Sequence, residues 1–358
     1  MKKNNLYLKN YRNLKVLVTG STGFKGAWLS YWLYLLGSKV IGIGLRPEKG
    51  SVLFDTLNLS QKIKQYYLDI KKFKKINQLI KKEKPDIIFH LAAQSIVSTG
   101  YINPLETFGT NVIGSTNILE CVRINKIPNL VFITSDKCYL NLGKKSSFKE
   151  SDILGGFDNY SSSKASAELV FSSYFHSYFK NKNKLSVASA RAGNVIGGGD
   201  FKQDRIVPDV IKSLNNKKKI ILRNPNATRP WQHVLEPLSG YLLLGHKLMN
   251  QSLNTKIHPN WNFGPYKRNC KKVIHMTKLF IKEWGNKKVN VVIKKNRKFH
   301  ESKLLSLNIS KAKRELNWEP KLSLEETVYF TVNWYKNFLS EGNVEETTNL
   351  QIEYFINK

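Results

Sequence analysis

The sequence predicts an α/β protein, a Rossmann-type doubly wound parallel sheet with a smaller C-terminal substrate-binding domain. Three observations point there. Near the N-terminus a β-branched apolar run enters a glycine-punctuated turn that opens directly into an apolar helix. Short apolar runs then alternate with stretches of helical spacing, the pattern that builds parallel sheets with helices on both faces. Finally, 358 residues suffice for one large core and a smaller partner domain.

The elements follow in order. MKKNNLYLKNYRN reads as a short polar leader. KVLVTG from Lys15 reads as the first strand, STGFKG as the turn, and AWLSYWLYLLG as a helix in which Trp28, Leu29, Trp32, Leu33 and Leu36 share a face before Gly37 stops it. Gly20, Gly23 and Gly26 let the backbone turn tightly, approach a pyrophosphate and pack helix on strand, while the helix N-terminus presents N–H groups. The strand and helix on either side make this a dinucleotide site rather than an isolated glycine triplet. SKVIGIGL and IKQYYLDI read as the second and third strands. KKFKKINQLIKKEK reads as a helix and DIIFHLAAQ as the fourth strand, and NLVFI continues the rhythm.

Ligands of such sheets sit beyond the carboxyl ends of the strands. That rule gathers STGFKG, then Ala92, Ala93 and Gln94, then the heptapeptide ITSDKCY at 133–139, where Ser135, Asp136 and Lys137 crowd a strand tip. Asp69 and Ile70, at the end of the third strand, suit an adenine. The acid that usually holds the adenosine ribose, about twenty positions past the glycines, is replaced by Gly44, Leu45 and Arg46. Arg46 suits a 2′-phosphate, so NADP stays open beside NAD.

Composition narrows the classes. There is no run of eighteen apolar residues and no apolar segment behind the basic start, so neither a membrane span nor a secretory signal is expected. Cys121, Cys138 and Cys270 are three, widely spaced and without a CxxC pair. A reducing cytoplasm is expected, with no disulfide framework and no metal, since the histidines form no HxH or HxxxH cluster and His233 reads as packed interior. The net charge of +32 would fit a nucleic-acid binder, but the lysines are scattered in small groups (KKFKK, KKEK, NNKKK) instead of gathered on one arm. Surface lysine is the preferred reading, with nucleic-acid binding as the competing class.

GFDNYSSSKASAELVFSSY gives a turn and then a helix carrying Tyr160 and Lys164 four residues apart, on one face. An ammonium beside a phenol favours the phenolate, so this pair is expected to lower the phenol's pKa towards neutrality and make it a base.

Glycine cradle, strand-end serine and YxxxK together resemble the extended short-chain dehydrogenase/reductase superfamily over nearly the whole chain. TGSTGFKGAWLSYWL, FHLAAQSIV, TNVIGS, TSDKCY, SARAGNVIGGGDFKQDRIVPD, RPWQHVLEPLSGYLLL and the closing HESKLLSLNISKAKRELNWEP are similar to the CDP-glucose 4,6-dehydratase family within it. The resemblance implies NAD as cofactor and adds Thr22, Phe24, Leu91 and Asn111 to its binding set. It implies CDP-glucose as substrate in deoxysugar biosynthesis for cell-surface polysaccharide: Tyr160 as base at the sugar 4-hydroxyl, Ser135 on its oxygen, Asp136 as acid for the departing 6-hydroxyl. Lys137 stands where dTDP-glucose dehydratases carry a glutamate, as C5 base, enolate stabiliser or partner of Asp136. Asn194 and Arg229 match diphosphate contacts, with Asp204 and Arg205 near the nucleotide. The chain would divide into a cofactor-binding domain at 1–194 with a returning segment at 229–263, and a cap of 195–228 and 264–358. A homodimer or higher homo-oligomer, packed partly through the Tyr160 helix, is expected. A related epimerase, or a dehydratase for a dTDP-, UDP- or GDP-sugar, remains open at this point.

Overall fold

The computed structural model describes residues 3–47, 52–143, 146–180, 185–253, 259–285, 289–294 and 305–358. The opening residues of the closing motif, His300, Glu301, Ser302, Lys303 and Leu304, lie outside them. Strands β1 (Lys15–Thr19), β2 (Lys39–Gly44), β3 (Lys64–Tyr67), β4 (Ile87–His90), β5 (Asn129–Ile133) and β6 (Ser186–Ala192) come first in the chain. An excursion then carries β7 (Val195–Ile196), β8 (Ile220–Leu222), β9 (Thr228–Pro230) and β10 (Gln232–His233) before β11 (Asn260–Phe263) returns to the sheet. The seven-stranded order is β11-β6-β5-β4-β1-β2-β3, parallel throughout. Two short strands follow, β12 (Cys270–Lys272) on β9 and β13 (Val291–Ile293) on β8.

Helices α1 (Phe24–Leu35), α2 (Val52–Thr56), α3 (Leu59–Lys62), α4 (Phe73–Glu83), α5 (Val97–Ile102), α6 (Pro104–Phe108), α7 (Ser115–Asn125) and α8 (Asn159–Tyr174) connect the first six strands. The strands alternate their apolar side chains between two layers. Ile88, Leu130 and Phe132 face Ile76, Ile80, Ile118, Val122 and Phe171 of α4, α7 and α8. Ile87, Phe89 and Val131 join Trp28 and Leu33 of α1 on the other side. That second layer also takes Leu238, Tyr241 and Leu242 of α10 (Leu235–Met249). Helix α4 shows the logic locally: Ile76, Leu79 and Ile80 are buried while its lysines stay outside.

The excursion and C-terminal part hold α9 (Ile206–Asn215), α11 (Val273–Trp284), α12 (Leu324–Leu339) and α13 (Val344–Asn357). Ser323 and Glu326 start α12 with a reciprocal capping box. Helix α13 returns to the large layer, where Phe355 meets Trp32 edge-on and Glu345 pairs with Lys62 at 2.8 Å.

One expectation is corrected at the N-terminus. The polar leader is a docked 3-10 segment, Lys3–Tyr11, and Tyr11 is fully buried with its hydroxyl donating to the Leu242 carbonyl at 2.7 Å. Leu8 and Tyr11 are buried and Tyr7 packs beside them with its hydroxyl on the Ser239 carbonyl at 3.3 Å, so apolar bodies with satisfied polar ends seat an otherwise polar segment.

Candidate active site

The glycine loop is shaped for close approach. Gly20 has φ +74, and a side chain there would meet the Ala92 backbone at 2.9 Å; one at Gly26 would overlap the Gly20 carbonyl at 2.0 Å. Gly23 caps α1 without any side-chain hydrogen bond, leaving the first-turn N–H groups to serve an anion. Thr22 bonds the Leu45 carbonyl at 3.0 Å, which ties the loop to the end of β2, and the Phe24 ring lies against Gly197. A bare helix start with no room for a Cβ at its two tightest points fits a dinucleotide pyrophosphate.

The neighbouring strand ends complete the cradle. Thr19 accepts into the same edge: its hydroxyl takes the Ala92 N–H at 3.1 Å, and its carbonyl takes the Leu91 N–H at 3.2 Å. Ala93 follows as a half-buried residue. Gln94 and Asn111 exchange hydrogen bonds, Gln94 N–H to Asn111 Oδ1 at 2.8 Å and Asn111 Nδ2 to the Gln94 carbonyl at 3.0 Å, and Asn111 reaches on to Ser163. Asp69 sits two residues beyond β3, accepting the Lys71 N–H at 2.9 Å, and Ile70 is buried against Gly114. Arg46 lays its guanidinium over the Tyr67 ring at 4.8 Å.

The heptapeptide folds as a strand end followed by a single 3-10 turn, Asp136–Cys138, for which Ser135 is the N-cap. The Ser135 hydroxyl takes the Lys137 N–H at 3.2 Å and donates to Asp136 Oδ1 at 3.0 Å. Asp136 is 2% exposed, and its other oxygen, Oδ2, has no hydrogen-bond partner among the described residues. Burial raises the carboxyl's pKa, against the opposing pull of Lys137, Ser135, Arg229 and Lys25. Lys137 is half-buried beside it.

Asp158 caps α8 by accepting the Ser161 N–H at 2.9 Å, which sets Tyr160 and Lys164 in the first turns, both buried. The Tyr160 phenol lies close enough to Ser135 for that hydroxyl to pull its pKa down, so the helix start and the strand tip sit side by side. The net pKa direction is a correction. Burial pushes the Tyr160 phenol up to about 12; the Ser135 hydrogen bond and the Arg205 charge pull it back only in part. Desolvating an anion costs more here than the surrounding cations return. Lys164 is itself pushed down to about 8 by burial and by the charge of Lys25.

The cap-side residues take different places. Arg229, on β9, is 7% exposed and close enough to hold down the Asp136 carboxyl. Asn194 accepts the Gln232 N–H at 3.3 Å where β7 begins. Arg205 bridges Asp200 and Ser95, each at 2.7 Å, and its charge is felt by Tyr160. Asp204 stands further out, with φ +63, between Ser98 at 2.9 Å and Arg223 at 2.6 Å. The first link joins the start of α5 to the excursion, and the second lies within the excursion.

Sequence reasoning missed Lys25 and Tyr241. Lys25 lies over the Tyr241 ring at 5.8 Å, and burial followed by the charge of Arg205 pushes its pKa down to about 8. A lysine inside an otherwise apolar glycine-loop helix start was the available signal. Tyr241 carried none, because it repeats at core spacing along α10.

Known proteins resemble the chain over most of its length. The family model described as GDP-mannose 4,6 dehydratase matches residues 17–331. The CDP-glucose 4,6-dehydratase of Salmonella typhimurium is 41% identical over 337 residues, covering 92% of this chain and 93% of that protein. The dTDP-D-glucose 4,6-dehydratase of Dictyostelium discoideum is 28% identical, covering 65% of this chain and 56% of its own length. Among solved structures, the dTDP-glucose 4,6-dehydratase of Bacillus anthracis in complex with NAD superposes with a TM-score of 0.77 at 24% identity, covering 92% of this chain and 98% of that one. The UDP-glucose 4-epimerase of Thermotoga maritima with UDP-glucose gives 0.79 at 23%, covering 91% and 100%. At these identities the structures show the shared fold.

Proposed function

The chain belongs to the GDP-mannose 4,6 dehydratase family, and from that premise we propose that it is an NAD-dependent nucleotide-sugar 4,6-dehydratase converting CDP-glucose to CDP-4-keto-6-deoxyglucose and water. The observation that carries the reading is the buried Asp136 carboxyl, raised in pKa and with one oxygen unpartnered, next to the Ser135 and Tyr160 pair. Oxidation at C4 needs a base alone; expelling the 6-hydroxyl also needs an acid. The 41% identical CDP-glucose enzyme supports the choice of base.

In this reading Tyr160, once it has given up its own phenolic proton against the opposition of burial, takes the proton of the sugar 4-hydroxyl while Ser135 holds that oxygen. The glycine loop from Gly20 to Gly26 with Thr22, Phe24, Asp69, Ile70, Leu91, Ala92, Ala93, Gln94, Asn111, Tyr160 and Lys164 would hold NAD, which would supply a reversible hydride acceptor. The 4-keto group acidifies the C5 proton, which Lys137 is proposed to remove. Asp136 then gives its proton to the leaving 6-hydroxyl, a proton goes back to C5 from Lys137, and the hydride taken from C4 would be given back at C6, so one water leaves with no net oxidation. Arg229, by its fork geometry, and Asn194 are proposed for the diphosphate, with Arg205 and Asp204 at the nucleotide.

The same proposal divides the chain into a cofactor domain, 1–194 with 229–263, and a substrate cap of 195–228 and 264–358, with α13 at the end of that range packing back on the large layer through Phe355 and Glu345. It places the enzyme in the cytoplasm, supported by Cys121, Cys138 and Cys270 standing as free thiols. Among the described residues no helix is long and apolar enough to cross a membrane. A homo-oligomer is proposed through the α5 to α8 face, where Ile102, Leu105 and Leu169 are exposed.

The test is incubation of the purified protein with NAD and each of CDP-, dTDP-, UDP- and GDP-hexose, following product mass. Loss of one water from CDP-glucose alone is the expected result. An unchanged CDP-glucose beside turnover of another sugar nucleotide would reject the substrate.

A further inference from the structure

Two turns beyond Tyr160 and one beyond Lys164, on the same face of α8, stands Glu168. It is 1% exposed, and its carboxylate gathers the ends of three strands. Oε1 accepts from the Thr134 hydroxyl, immediately before Ser135. Oε2 accepts from Arg191 at 2.7 Å, Ser189 at 3.0 Å and Asn260 at 3.2 Å, on β6 and β11. Arg191, 3% exposed, continues to the Tyr139 hydroxyl at 2.9 Å and the Glu150 carbonyl at 3.0 Å, so the far end of the heptapeptide is tied in as well. Tyr139 passes the chain on to Asn262 at 2.7 Å.

A fully buried ion pair is weak support for stability, since well-packed apolar side chains of the same volume commonly do as well. What this one provides is geometry. Thr134 leads into Ser135, the residue beside the Tyr160 phenol, and Tyr139 leaves the turn that holds Asp136, so both ends of the tip are fastened to the helix that carries the tyrosine.

We propose that Glu168 is a positioning residue, whose carboxylate, bonded to Thr134 and Arg191, locks α8 against the β5 tip and thereby sets Tyr160 against Ser135. The proposal rests on the dehydratase reading for its kinetic consequence, but not for its structural one. A second effect accompanies the first. Lys164 is faced by Lys25 from α1, by Cys138 from the tip and by Glu168 from its own helix, and Glu168 supports its charged form against burial.

The experiment compares wild type, Thr134→Val and Glu168→Gln in two measurements: turnover of CDP-glucose with NAD, and NMR titration of the Lys164 ε-carbon in protein carrying 13C-lysine, the resonance being assigned by its loss in Lys164→Met. Thr134→Val is expected to lower kcat by about 10- to 100-fold, the scale of a sub-ångström to 1 Å misplacement, with KM and the Lys164 midpoint unchanged. Glu168→Gln is expected to lower kcat similarly and to move the midpoint down by about one unit, because a nearby negative charge has been removed. A Thr134→Val enzyme with wild-type kcat overturns the positioning role, even if it melts earlier. An unmoved Lys164 midpoint in Glu168→Gln overturns the electrostatic one, and should Glu168→Gln fail to fold, the isosteric Thr134→Val decides. Wild type inert on every sugar nucleotide would instead sink the dehydratase reading, while the Lys164 titration still judges Glu168.

Discussion

Asp136 and Tyr160 illustrate how burial pushes two acids at one strand tip the same way, helping one role and opposing the other. Desolvation raises both, which prepares the carboxyl to give a proton and makes the phenol reluctant to lose one. Asp136→Asn keeps the shape but has no carboxyl proton to deliver, so water loss should fall by about 10²- to 10⁴-fold while CDP-glucose binding, read by calorimetry, holds. Undiminished water loss would take Asp136 out of the acid's role. Lys137→Met separates base from acid. Wild type run in D₂O should place deuterium at C5 of the product, and the variant should lose exchange of the C5 hydrogen of the 4-keto sugar with solvent; exchange at the wild-type rate would assign the C5 proton elsewhere. At this scale the glycine loop was readable in advance, because Gly20 and Gly26 occupy positions where any Cβ collides with backbone. Tyr160's net pKa was not, since spacing shows the lysine four residues away but says nothing of how much water the fold removes from around the phenol.

Elements were readable where one physical signal sufficed. Strand β5, five buried residues, and α8, with its Asp158 cap, lie where apolar runs and turn residues place them. The docking of Lys3–Tyr11 was not readable, because Tyr7, Leu8 and Tyr11 in a polar segment become core contacts only once α10 is there to receive them. Glu168 was invisible for a similar reason: in sequence it is one more helical glutamate, and its partners come from three strands far apart in the chain. Glu236 on α10 is a comparable case with a measurable consequence. It is buried and accepts the N–H groups of Lys321 at 2.9 Å and Leu322 at 2.6 Å, fastening α10 to the segment before α12. Burial pushes its carboxyl up to about 8 despite those bonds. A folded-state pKa raised above the unfolded value contributes stability at low pH that is lost as pH climbs through the folded pKa. Thermal stability should therefore decline between about pH 5 and 8, and Glu236→Gln, which cannot ionise, should flatten that decline in a melting series. An identical slope in both proteins would remove Glu236 as its source.

At the scale of the molecule, the surface carries two features that the sheet and its site leave unused. One is the charge of +32, spread over the whole chain and met in part by exposed pairs such as Lys313 with Glu319 and Arg223 with Asp204; such pairs contribute little individually. The other is apolar and localised. Ile102 is 80% exposed, Leu105 85%, Ile113 56% and Leu169 58%, on the consecutive stretch from α5 to α7 and on the outer side of α8. Scattered single exposures are ordinary, but four large aliphatic side chains on neighbouring helices are what a self-complementary interface displays before it closes. A second copy fits better than an unrelated acidic partner, because a strongly cationic chain resists self-association everywhere except where its surface is free of lysine and apolar. Because α8 also carries Tyr160 and Lys164, closing this face would stiffen the helix on the side away from Glu168. Leu105→Glu combined with Leu169→Glu places two anions in that face without touching the site. Light scattering should then report an oligomer for the wild type and a monomer for the double variant, with the far-UV spectrum unchanged. A wild type that is already monomeric at micromolar concentration, or a double variant that keeps its mass, would show that this face meets water in the working enzyme.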